Sequence, residues 1–149
     1  MKNKFKILVL TVALCIATAV VASAETRYET ALGYVNKTYN LSLTGDYVNL
    51  SAQGTSTSVY TTIRNTSSST IYAQATTKTC KTYWVVYDTD TTTNTHFTTG
   101  SVLNAPTVSR LYNDSSAKYI HVGTVKNVDQ TTTYDSLTYR VNHGTSQYQ

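Results

Sequence analysis

Lys81-Thr82-Tyr83-Trp84-Val85-Val86-Tyr87-Asp88 is the one stretch beyond the N-terminus in which apolar side chains fill consecutive positions. It holds the only Trp of the chain and follows directly on Cys80. A strand that is apolar on both faces belongs in the middle of a sheet that is covered on both sides. The stretch therefore predicts the central strand of a small all-β domain, with Trp84 buried. On that reading Trp84→Ala mainly costs stability, roughly 3–5 kcal/mol.

The flanking segments alternate with period two, as half-buried strands do. Tyr39, Leu41 and Leu43 alternate with polar residues, Gly45-Asp46 turns the chain, and Val48, Leu50 and Ala52 alternate again, which reads as a hairpin. Val59, Thr61 and Ile63, then Ile71, Ala73 and Ala75, predict a second hairpin joined by the polar run Asn65–Ser69. Asp88–Thr95 reads as the most polar loop, and Glu25–Gly33 as a polar lead-in. Phe97 and Val102 mark a short strand before the breaker Asn104-Ala105-Pro106. Three further strands follow around Thr107–Tyr112, Tyr119–Val125 and Leu137–Val141. In the second of these, Ile120 and Val122 alternate with Tyr119 and His121, and His121 is expected on the outer face. No segment sustains a helical period. The expectation is one β-sandwich of about eight or nine short, mostly antiparallel strands over residues 25–149.

Residues 1–24 read as a separate object. Lys2, Lys4 and Lys6 precede the apolar run Ile7–Ala22, and Ala22-Ser23-Ala24 has the small-x-small pattern of a cleavage site. The run of 16 residues is shorter than the roughly 20 that a spanning helix needs. A secretory signal peptide cut after Ala24, and a secreted product, are expected. Three of the twelve Lys and Arg lie in this segment, which leaves nine against eight acids, about +1. A domain so nearly neutral, with its cations scattered, is expected to have no net positive field to draw nucleic acid or anionic membrane.

Leu, Ile, Val and Phe supply only 22 residues after Ala24, but 13 Tyr restore apolar bulk, each with a polar tip. Tyr34, Tyr47, Tyr60, Tyr72 and Tyr112 are phased opposite to the aliphatic residues in several strands and predict an outer aromatic surface.

Signals for chemistry are sparse. His96, His121 and His143 stand on different segments without the close pairing typical of a zinc site. Cys80 has no glycine-rich or elbow-like neighbourhood; Lys78 and Lys81 are its only activating neighbours, and it reads as a small buried side chain. Asp88-Thr89-Asp90-Thr91-Thr92-Thr93-Asn94 carries oxygen ligands at alternate positions, as a calcium loop would, but lacks the Gly and Glu of an EF-hand. No phosphate-binding glycine pattern occurs. No catalytic, cofactor-binding or metal residue is assigned, and no cofactor is expected.

The function expected from these features is non-catalytic: a binding or cell-envelope-associated module that meets a cell-surface, carbohydrate or protein ligand through its surface. The alternative is a membrane-active secreted toxin or bacteriocin-like protein. Thr55–Arg64 and Thr70–Thr79 are each about ten alternating residues, the length a tilted spanning strand needs. In composition and alternation, over about 25 residues, they resemble the insertion segments of β-pore-forming toxins. That resemblance implies membrane contact.

Overall fold

The computed structural model describes residues 25–32, 38–81, 84–111, 114 and 116–142. The expectations for residues 1–24, Tyr34, Tyr83, Tyr112 and His143 lie outside them. Ten strands follow in order: β1 (Glu25–Leu32), β2 (Tyr39–Thr44), β3 (Val48–Gly54), β4 (Ser58–Asn65), β5 (Ile71–Lys81), β6 (Val85–Phe97), β7 (Val102–Asn104), β8 (Val108–Ser109), β9 (Lys118–Lys126) and β10 (Thr133–Asn142). One sheet has the order β1-β10-β9-β5-β6, and the other β2-β3-β4-β7, with β8 paired to β4. All pairings are antiparallel except β1 with β10. The all-β sandwich expected from alternation is the fold observed.

The buried residues show why alternation was a sound guide. Val48, Leu50 and Ala52 of β3, Val59 and Ile63 of β4, Ile71, Ala73 and Ala75 of β5, and Leu137 and Val141 of β10 all face the gap between the sheets. Tyr39, Tyr119, Tyr139 and Phe97 add the volume that the short aliphatic list leaves missing. Gly123 of β9 lies opposite Ile63 and Leu50. A Cβ there would stand 2.7 Å from Ile63 Cγ2 and 3.2 Å from Leu50 Cδ1. Gly123→Ala is therefore expected to cost about 1–3 kcal/mol by overpacking, read as a lower urea midpoint at unchanged slope.

Four local expectations are corrected. The second hairpin does not form: β4 and β5 lie in opposite sheets and face each other across the core. Asn65 organises the crossing. Its Nδ2 donates to the carbonyls of Ser69 (2.9 Å) and Phe97 (2.8 Å), and its Oδ1 accepts from Ser67 N (2.9 Å) and Ser67 Oγ (2.8 Å). A buried amide with all these partners met holds the connection in one path. The two segments that resemble toxin insertion hairpins are these same strands, so they are not paired with each other.

Glu25–Leu32 is strand β1, parallel to β10 from Glu25↔Asp135 to Leu32↔Asn142. Asp88–Thr95 is no loop but the middle of β6. It escapes the alternation rule because β6 is an edge strand and carries no apolar face along these residues.

The largest correction concerns the opening stretch. Lys81 ends β5, Trp84 stands in the turn with φ +64°, and Val85 opens β6. The stretch is the tip of a hairpin and the start of an edge strand, not the centre of a sheet. Val85, Val86 and Tyr87 are 63%, 49% and 56% exposed. Consecutive apolar residues were a correct sign of a strand without a polar face; here neither face is covered.

Candidate functional site

Two places in the molecule gather unusual residues: a polar network inside the core, and the tip of the β5–β6 hairpin.

The interior network is centred on His121. Alternation on β9 puts Tyr119, His121, Gly123 and Val125 inward, so His121 is fully buried rather than on the outer face. Tyr39 Oη lies 3.0 Å from its Nε2, and Thr61 Oγ1 lies 2.9 Å from its Nδ1. Thr61 Oγ1 in turn donates to the Thr76 carbonyl (3.0 Å) and accepts from Thr77 Oγ1 (2.8 Å). A hydroxyl has one hydrogen, so Thr61 must accept from the imidazole, and hydrogen counting assigns the neutral Nδ1–H tautomer with Tyr39 donating to Nε2. Burial lowers the His121 pKa to about 3, against a raising hydrogen bond to the Tyr60 backbone. Arg110 is also buried here, its guanidinium over the rings of Tyr39 (5.3 Å) and Tyr119 (5.7 Å). Burial likewise raises the Tyr39 pKa well above its usual value, Arg110 opposing. The network is closed by protein groups and reaches no solvent at His121, so it serves the packing of the two sheets.

The other candidates do not converge with it. His96 is exposed on β6, near the level where β5 begins at Ile71. His121 pairs with Thr77, roughly 15–20 Å away at about 3.3 Å per residue. Among the described residues no group of three or more His, Cys, Asp and Glu is placed to hold a metal ion. Asp88, Asp90, Thr92 and Asn94 pair with Thr79, Thr77, Ala75 and Ala73 along one strand. Such residues follow one another in a line and do not encircle one ion. Cys80 is free and buried. Burial raises its pKa, and Lys78, Arg140 and Lys118 offset this only in part, so the thiol stays protonated at neutral pH.

Of the Tyr residues expected to form an outer surface, Tyr47, Tyr60 and Tyr72 are half-buried, and the first two are engaged. Tyr47 stacks on Tyr134 with ring centroids 4.5 Å apart, and Tyr60 Oη donates to Gln53 Oε1 (2.6 Å). On the outer face of the β2-β3-β4-β7 sheet, Ser51 Oγ donates to Asn40 Oδ1, Gln53 Nε2 to Ser51 Oγ, and Thr62 Oγ1 to Asn104 Oδ1. That face spends its polar groups on itself.

The hairpin tip differs. Among the described residues five large hydrophobics are exposed, and three of them, Val85, Val86 and Tyr87, are consecutive. Scattered exposed apolar residues need no explanation, whereas a contiguous patch does. Cations ring it: Lys81 Nζ lies 4.4 Å from the centre of the Tyr87 ring, and Lys118 Nζ and the Arg140 guanidinium lie 5.8 and 4.9 Å from that of Trp84. Lys78 and Arg140 belong to one row across the sheet, with Ile120 between them.

β6 has 13 residues against 11 in β5, and its register with β5 shifts twice, between Thr79 and Cys80 and between Ile71 and Ala73. Each shift places one extra residue in β6, and the first is Tyr87. Bulges and acids on the inward side, here Asp88 and Asp90, are devices that keep an edge strand from pairing with another sheet.

Trp84 is half-buried rather than buried, which corrects the expected cost of its removal. A bulky residue at positive φ is strained by about 1–2 kcal/mol. Trp84→Gly is therefore expected to be at least as stable as Trp84→Ala, the reverse of their order in an ordinary strand, as equilibrium urea unfolding of the two variants will show. A strained aromatic held at an exposed turn is a signal that only the backbone reveals.

No protein family, curated protein or solved structure matches this chain.

Proposed function

We propose that this protein is a secreted, non-catalytic β-sandwich that acts as a binding module of the cell envelope, with the tip of the β5–β6 hairpin as its contact surface. One observation carries the reading: the exposed run Val85-Val86-Tyr87 beside the strained Trp84, the one place among the described residues where exposed large hydrophobics are consecutive. Tyr and Trp with a polar surround are the residue types that dominate binding surfaces. The titratable groups of the interior fit the same reading. His121 is enclosed and neutral, and Cys80 is a protonated, buried thiol, so neither is poised as a base or nucleophile.

The test is sedimentation of the purified protein with washed envelopes of the producing organism. The native protein is expected to bind saturably. The double variant Val85→Asp, Val86→Asp is expected to bind at least tenfold more weakly with an unchanged circular dichroism spectrum. Equal binding by the two proteins, or none by the native one, overturns the proposal.

A further inference from the structure

We infer that the partner of the hairpin tip is an anionic lipid surface, on which the tip seats peripherally. This deepens the binding reading above and rests on it. The first ground is shape. Val85 and Val86 are successive strand residues and so project to opposite sides, yet both are exposed. A flat protein interface would cover one side of a strand; a fluid surface can receive both sides of a protruding tip.

The second ground is residue type. Trp and Tyr favour the boundary between hydrocarbon and headgroups, where an apolar ring body and a polar edge are both accommodated. The tip holds Trp84 and Tyr87 beside two Val.

The third ground is charge complementarity. Of the nine Lys and Arg after Ala24, Lys81 is exposed and Lys78 and Arg140 are partly exposed around this tip, while Lys118 beside Trp84 is buried; the acids of β6 at this end are Asp88 and Asp90, on its inward side. A chain of about +1 overall thus concentrates its positive charge at the end that also carries its apolar patch. Basic residues near an anionic leaflet each contribute attraction, within about one Debye length of the surface.

Two alternatives fit less well. A second copy pairing along β6 would meet the two bulges and the Asp88 and Asp90 side. Insertion of the β5–β6 hairpin across the bilayer would put Asp88 and Asp90 on one face and Thr89, Thr91, Thr93 and Thr95 on the other, which leaves no apolar face toward lipid. Among the described residues no helix is long and apolar enough to cross a membrane.

The experiment uses Trp84 emission, since Trp84 is the only Trp of the chain and reports on the tip whatever the state of the N-terminus. The protein is titrated with vesicles of phosphatidylcholine alone and of phosphatidylcholine with phosphatidylglycerol, both loaded with a dye. A blue shift of Trp84 and co-sedimentation with the anionic vesicles only, with the dye retained, is the expected result. Lys81→Gln is expected to lower the partition about fivefold, and Val85→Asp with Val86→Asp to abolish the shift.

Equal partition into neutral vesicles, dye release, or a native-like shift in the double Asp variant overturns the inference. So does self-association in the absence of vesicles. Envelope binding without any vesicle binding overturns it while leaving the binding module intact, and points to an envelope carbohydrate or protein instead. Absence of both sinks the two together.

Discussion

Tyr119→Ala is expected to destabilise the protein by about 3–5 kcal/mol, the scale of aromatic truncation in a closed core. Tyr119 is the largest fully buried side chain among the described residues. Its ring lies 6.2 Å from that of Tyr39, and the Arg110 guanidinium stands over both. Truncation opens a cavity and also removes the π face that helps hold a buried cation. A domain of this size is stable by about 5–15 kcal/mol, so the loss is a large part of the whole. Tyr119→Phe keeps the ring and is expected to cost about 1 kcal/mol or less. Urea unfolding of the two variants against the native protein measures the difference. A Tyr119→Ala protein within 1 kcal/mol of native would mean that the core is not packed around the Tyr39–Tyr119 pair.

The second large effect is on acid stability. His121 has its pKa lowered to about 3 by burial, against about 6.5 in an unfolded chain. The folded form holds the neutral ring and the unfolded form takes up a proton below pH 6.5. The contribution is therefore complete above pH 6.5 and is lost as pH falls toward 3, by about 1.4 kcal/mol per pH unit.

Between pH 6.5 and 4.5 the loss reaches about 2 kcal/mol. Protonation would also break the network, because Nε2 could no longer accept from Tyr39. The groups packed on the ring, Tyr39, Thr61 and Thr77, do not ionise in that range. His121→Gln removes the titration, so its stability curve should be flatter than the native one by about one proton over the same window. Parallel curves would show that the imidazole is not enclosed in the folded protein.

The residues explain how far sequence could go. Alternation identified the inward faces of β2, β3, β4 and β10 because Leu43, Leu50, Ile63 and Leu137 each sit among polar neighbours. It failed on β9 because both phases look apolar there: Ile120 and Val122 compete with Tyr119 and Val125. The partner that settles the phase, Tyr39, is 82 residues away from His121. It also failed for pairing. A turn between β4 and β5 and a crossing between sheets differ in hydrogen bonds from Asn65 to Ser69 and Phe97, which no local pattern encodes.

The hairpin tip was misplaced for a related reason. A run apolar on both faces follows equally from a strand covered twice and from one covered on neither side. Its neighbour Asp88–Thr95 looked like a loop because an edge strand exposed on one face can be hydroxyl-rich throughout. The strained Trp84 backbone and the cations from β9 and β10 over its ring depend on distant strands and left no local trace.

Under the proposed function, stability and binding belong to different places: the Tyr39–Tyr119–His121 interior and the Trp84–Tyr87 tip. The most direct test measures both properties on one variant, Val86→Asp, by urea midpoint and by saturable binding to washed envelopes. The expected result is a midpoint within the error of the native value and binding weakened at least tenfold. Native binding by a fully folded Val86→Asp protein would contradict the assignment of the contact surface to the hairpin tip.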